Sequence, residues 1–232
     1  MSTEYERVLD LIEDYVVCGF RRARVHRPLT VRASTGSSEQ RPAVQPIGRQ
    51  MQLDAVAAEV AVCTLCLLHT KRTNTVPGSG SIDPIVVAVG EAPGAEEDRT
   101  GKPFVGAAGK YLDKWLAAIE LSRETNCFIA NVVKCRPPGN RDPESSETDV
   151  CVQFLERQID TLCPKAILTL GRIASQILTG QSVGIGKLRG SVYSYRGIPL
   201  VPTFHPSAVL RDADLRRLVW DDLKLLKSVC PD

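Results

Sequence analysis

Three uninterrupted apolar runs do most to limit what this chain can fold into: PIVVAVG at 84–90, CFIANVV at 127–133 and AILTLG at 166–171. None alternates polar with apolar residues, so none suits a strand with one wet face. Continuous runs of this length fit central parallel strands covered on both sides. Helical patterns separate them, at 107–121, 147–162 and 172–179, and MQLDAVAAEVAVC at 51–63 precedes the first run. A shorter strand pair follows, SVYSY and IPLVPTF, and then an amphipathic helix near 213–229. Alternating strands and helices predict an α/β domain. The expected form is a three-layer α/β/α sandwich on a mainly parallel sheet of about four strands. Such sheets bind ligands beyond the carboxyl ends of their strands.

The segment leaving the first strand, VGEAPGAEEDRTGKPFVGAAG at 89–109, holds five glycines, two prolines and four carboxylates. It is neither a Walker loop, which ends in Gly-Lys-Ser/Thr, nor a dinucleotide fingerprint with its three spaced glycines. Asn131, near the end of the second strand, and HPSAVLR at 205–211, after a later one, fall on the same predicted rim. Taken singly, these residues have ordinary readings: a strand-capping asparagine, a packed histidine, a core Phe104, and a solvated acidic turn at Glu96, Glu97 and Asp98. Their convergence on one rim marks a candidate site.

The 232-residue chain has eight cysteines but no apolar stretch of membrane-spanning length. Its first residues, MSTEYERVLDLIEDY, lack the basic flank and apolar core of a signal peptide. A cytoplasmic protein is expected, in which cysteines serve as metal ligands or buried thiols rather than as a disulfide framework. Cys63 and Cys66 form CTLC, Cys135 follows the second strand, and Cys151 lies sixteen residues further on. Four thiolates from three segments can close a tetrahedral zinc site, although a zinc ribbon more typically carries a second C-x2-C pair. The uneven spacing favours an iron–sulfur cluster. Cys18, Cys127, Cys163 and Cys230 stand outside this grouping.

Charge divides the chain. Residues 21–50 carry seven arginines against one glutamate, are rich in Ser, Gln and Pro, and read as a disordered basic linker. It is either a tether for a polyanion or a solvated spacer. Ahead of it, within residues 1–20, Tyr5, Val8, Leu9, Ile12, Tyr15 and Val16 recur at helical spacing, which gives an amphipathic helix able to dock on the main domain or on a protein partner. Residues 51–232 form the main domain.

GEAPGAEEDRTGKPFVGAAGKYLD, NVVKCRPPGNRDP and FHPSAVLR, with CTLC ahead of them and KLRG at 187–190, together resemble the type-4 uracil-DNA glycosylases, the iron–sulfur branch of their superfamily. The resemblance covers roughly residues 55–228. It implies a DNA-repair enzyme that takes uracil from single- or double-stranded DNA and leaves an abasic site; a monomer is expected. Main chain at Gly90, Glu91 and Ala92 is then expected to contact the base, Phe104 to stack on it, and Asn131 to read its Watson–Crick edge. His205 would donate a hydrogen bond to O2 as the departing base gains charge. Glu91 would position water or shape the loop, and Glu97 would crowd the C5 position and exclude a methyl group. Lys187, Ser207 and Arg211 are the expected DNA contacts, with Pro206 and Arg189 beside them. Cys63, Cys66, Cys135 and Cys151 would hold a [4Fe-4S] cluster. Two other readings are a DNA-binding member without excision activity and a nucleotide-binding module. A product-trapping enzyme is disfavoured, because the loop RPPGNRDPESSE lacks the histidine of that branch.

Overall fold

The computed structural model describes residues 46–230. The helix expected at 3–18, Cys18 and the basic linker up to residue 45 lie outside the described residues. Helix α1 spans Pro46–Val62, five residues earlier than the apolar pattern predicts. Proline suits a first helical turn, where its missing N–H has no acceptor to lose. The pattern understates the helix because Ile47 and Met51 are exposed while Leu53, Val56 and Val60 are buried. The basic linker therefore ends before residue 46.

The sheet has six strands in the order β1-β3-β2-β4-β6-β5. These are β1 Ser79–Gly80, β2 Val86–Gly90, β3 Cys127–Asn131, β4 Ala166–Leu170, β5 Tyr193–Tyr195 and β6 Ile198–Thr203. The parallel pairings β3–β2, β2–β4 and β4–β6 make the four-stranded centre that the sequence predicts. Two short antiparallel edges, β1 on β3 and β5 on β6, raise the count to six. A two-residue edge strand is too short to show periodicity, so β1 left no sequence signal.

The remaining helices are α2 Ala95–Thr100, α3 Ala107–Ala118, α4 Ser145–Leu162, α5 Arg172–Thr179, α6 Ile185–Leu188, α7 Pro206–Arg211 and α8 Leu215–Ser228. Alternation in β2 shows how both faces are used. Val87 and Val89 join a core with Leu53, Phe154 and Leu155 from α1 and α4. Val86 and Ala88 join the opposite core with Leu112, Leu116 and Leu223 from α3 and α8. Apolar side chains at both parities explain the unbroken runs. Among the described residues no helix is long and apolar enough to cross a membrane. The chain passes outward from β2 to β3 and then returns past β2 to β4. That reversal opens a crevice at the carboxyl ends of these strands.

Candidate active site

Gly90 ends β2 in register with Asn131, the last residue of β3. A Cβ on Gly90 would overlap Asn131 Oδ1 and would lie 2.6 Å from Phe104 Cζ. Only glycine leaves room for this approach. Three residues that the sequence places on one rim thus meet at one point. Asn131 is 1 % exposed, and its Oδ1 has no hydrogen-bond partner. An unsatisfied buried acceptor costs about 1–3 kcal/mol, so Asn131 Oδ1 is free to accept a further hydrogen bond.

Phe104 sits in a turn with φ 52°, a left-handed conformation unfavourable for a bulky residue. Polar side chains hold that turn from both sides. Glu97 Oε1 accepts from the amides of Val105 and Gly106, each at 2.9 Å. Arg123 donates to the carbonyls of Pro103 at 3.1 Å and Phe104 at 3.0 Å, and is itself paired with Asp113. A Cβ on Gly109 would overlap the Phe104 carbonyl, so α3 packs directly beneath the turn. The acidic segment expected to be a loop is partly the short helix α2. Asp98 ties that helix down by accepting from the amides of Thr73 at 2.9 Å and Asn74 at 3.3 Å. Neither Arg123 nor this use of Glu97 left a recognisable motif.

His205 caps α7, and its ring lies 5.7 Å from that of Phe104 at an interplanar angle of 36°. The Ser207 amide donates to His205 Nδ1 at 3.2 Å, with Ser207 Oγ 2.8 Å from the same nitrogen. A backbone amide only donates, so Nδ1 is the acceptor and the ring proton resides on Nε2. Burial, reinforced by the charge of Arg211 and opposed by that of Glu97, lowers the histidine pKa to about 4. The ring is therefore neutral at pH 7, with an Nε2–H to donate. Gly171, with φ 91°, brings the β4–α5 turn against it, since a Cβ there would lie 3.0 Å from His205 Cβ.

Glu91 is half-buried beside this group. Burial raises its pKa to about 7, the charge of Asp142 adding to the effect and that of Arg172 opposing it. Asp142 and Arg172 form an ion pair across the mouth. The carbonyls of Gly90 and Glu91 accept from the amides of Val132 and Val133, each at 3.0 Å, which carries the β2–β3 pairing past the strand ends. Ala92 is partly buried against the α1–α4 core.

Of the expected DNA contacts, Lys187 and Arg211 are exposed. Ser207 is partly buried, its hydroxyl 2.8 Å from His205 Nδ1. Arg189, placed beside the phosphate contacts by sequence, is committed elsewhere. It pairs with Asp222 through Nε at 3.0 Å and Nη2 at 2.7 Å, and donates to the Leu218 carbonyl at 2.6 Å. Asp222, fully buried, also accepts from the Gly190 amide at 3.0 Å and the Thr203 hydroxyl at 2.7 Å. This network locks the KLRG turn to the strand that leads into His205.

Cys63, Cys66, Cys135 and Cys151 line one cavity with His69, Arg72 and Lys134. Arg72 Nη1 donates to Cys135 Sγ at 3.2 Å, and the Lys134 amide donates to Cys151 Sγ at 3.3 Å. Burial raises the Cys135 thiol pKa and takes that of Cys151 to about 11. Among the described residues no three His, Cys, Asp or Glu side chains are arranged to hold a metal ion. All four cysteines are free thiols at the edge of that cavity. Cys127 and Cys163 stand apart, hydrogen-bonded to local carbonyls. Lys134 was overlooked by the sequence reading, although a lysine between a buried strand and a cysteine is itself unusual.

Residues 77–224 match the family described as the uracil DNA glycosylase superfamily, and the chain belongs to it. Within it, the chain is 45 % identical over 184 residues to the type-4 uracil-DNA glycosylase of Thermotoga maritima, covering 78 % of this chain and 95 % of that one. It is 42 % identical over 185 residues to the type-4 enzyme of Sulfurisphaera tokodaii, covering 76 % and 84 %. It is 41 % identical over 186 residues to that of Archaeoglobus fulgidus, covering 77 % and 93 %.

Proposed function

We propose that this protein hydrolyses the N-glycosidic bond of uracil in DNA, releasing the base and leaving an abasic site. The observation that carries this reading is the unpartnered Asn131 Oδ1, buried against Gly90 and Phe104 with His205 opposite. The target nucleotide must leave the stack to reach such a site. Phe104 stacks on the extruded base. Asn131 Oδ1 accepts from uracil N3–H, and its amide nitrogen donates to O4. Cytosine presents an acceptor at N3 and a donor at C4, so both contacts are lost at about 1–3 kcal/mol each. Glu97 crowds the C5 edge against a methyl group.

His205 acts on the transition state. As the bond breaks, negative charge builds on uracil O2 while the sugar becomes oxocarbenium-like. The neutral Nε2–H bond to O2 strengthens as that charge grows, so it favours the transition state over the bound substrate. Glu91, whose carboxyl titrates near neutrality, supplies a carboxylate for the attacking water or for the cationic sugar. Lys187, Ser207 and Arg211 contact DNA phosphates.

Cys63, Cys66, Cys135 and Cys151 would hold a [4Fe-4S] cluster. Arg72 and the Lys134 amide donate to the sulfurs of Cys135 and Cys151, contacts that would offset the negative charge of a thiolate-held cluster. Held by these residues, a cluster would tie the Cys63–Cys66 segment to the exit of β3; the hydrolysis itself needs no electron.

The test is incubation with single- and double-stranded uracil-containing DNA, followed by alkaline cleavage of abasic sites. Strand scission at uracil, and none at cytosine or thymine, is expected. Uracil-dependent binding without scission would favour the non-excising alternative.

A further inference from the structure

Lys134 is 1 % exposed, yet no carboxylate is among its hydrogen-bond partners. Its ammonium donates to the Asn131 carbonyl at 2.9 Å and to Gln158 Oε1 at 2.7 Å. Gln158 is held in turn by the Pro77 carbonyl at 2.8 Å, and the Lys134 carbonyl accepts from the Val76 amide at 2.8 Å. At the other end, the Lys134 amide reaches Cys151 Sγ. Cys151 and Gln158 lie seven residues apart on α4, two helical turns along the same face. One lysine thus touches both the cysteine cavity and the residue that reads the base.

A buried ammonium without a counter-charge is strongly disfavoured. A neighbouring group able to carry negative charge is Cys151, whose Sγ accepts from the Lys134 amide at 3.3 Å. Four thiolates give a bound cluster net negative charge, and Arg72 supplies a second cation at Cys135. A cluster held by these cysteines would supply the missing counter-charge for Lys134.

We propose that Lys134 is a positioning residue for base recognition: balanced by the cysteine-held cluster, its ammonium fixes the Asn131 main chain and so aims the amide at uracil. This rests on the function proposed above and adds to it a route by which the cluster bears on selectivity as well as on stability.

The test uses full-length, cluster-loaded protein carrying Lys134→Met. Retained iron and visible absorption are expected, with a cluster reduction potential shifted negative by loss of the neighbouring cation. Single-turnover excision should slow by about tenfold or more, and preference for non-cleavable uracil DNA over thymine DNA should shrink. The decisive readout is a double-mutant cycle. In an Asn131→Ala background, Lys134→Met should cause no further slowing. Equal slowing in both backgrounds, or a parent-like rate in the single variant, would overturn the proposal. If Lys134→Met does not fold, Lys134→Arg serves, since it keeps the charge but its planar fork cannot reproduce both contacts. Parent-like selectivity in that variant would equally overturn it. A parent protein that never cuts uracil DNA would instead remove the function on which the proposal depends.

Discussion

The Phe104 turn and the cysteine cavity lie on either side of β3, and they are held by different means. The turn is fixed by the chain's own side chains. Glu97 satisfies two amides, Arg123 satisfies two carbonyls, and Gly109 admits α3 beneath. The cavity shows the reverse. Four cysteines line one cavity, burial raises the thiol pKa of two of them, and a lysine is buried without a carboxylate among its hydrogen-bond partners. The Phe104 turn is held by the chain's own side chains, whereas the cysteine cavity would be completed by the cluster proposed for it. The two regions should therefore respond to mutation in opposite ways.

The largest effect is expected at the cavity. Purified protein should be brown, with about four iron and four sulfide per chain. Cys135→Ala should lose colour and lower the melting temperature by more than about 5 °C, taking activity with it. Colourless, active protein containing stoichiometric zinc would break the comparison at its root. His205→Ala should do the opposite: colour and melting temperature stay, while single-turnover excision slows about 10²–10³-fold. Binding of non-cleavable uracil DNA should hardly change, because the histidine bond gains its strength only as charge develops. An excision rate equal to the parent's would shift the chemistry onto the 90–94 loop.

Arg123→Ala sharpens the contrast at smaller scale. Two carbonyls of a left-handed turn lose their donors, so Phe104 should relax and excision should slow about tenfold. Iron content should be unchanged. Cluster loss in this variant would mean that the two regions are not independently built.

How far the site was legible follows from the same contrast. Gly90, Asn131, Phe104 and His205 were readable because each ends or follows an apolar run, and strand ends in a parallel sheet share one rim. The helix buried in the acidic segment was not, since α2 has six residues and only Asp98 buried. Arg189 misled for a different reason: sequence shows a cation, but only the fold shows Asp222, 33 residues away, engaging it. Arg123 and Lys134 escaped because their work is done on backbone carbonyls, which carry no side-chain signature. The cysteine set was visible in sequence, but the cavity it lines with Arg72 and Lys134 was not.

The smallest effect, and the most discriminating for the pocket mouth, concerns Glu91. Its folded pKa is raised from 4.5 to about 7, burial contributing most and Asp142 next. A carboxyl with a raised folded pKa favours the folded state below its unfolded value, and that contribution is lost as pH rises through the folded one. Above pH 7 the protein therefore carries a half-buried anion that the unfolded chain holds more comfortably. Glu91→Gln should raise the melting temperature by about 2 °C at pH 8, with the difference vanishing by about pH 4.5. Activity separates the two roles open to this residue. If the ionised carboxylate assists the reaction, parent excision rises with pH through about 7, while Glu91→Gln is slower and flat there. His205 does not contribute to that limb, because it titrates near 4. Asp142→Asn should move the limb to lower pH by removing a like charge. If the parent profile is flat while the stability difference remains, Glu91 shapes the loop and the attacking water is activated elsewhere.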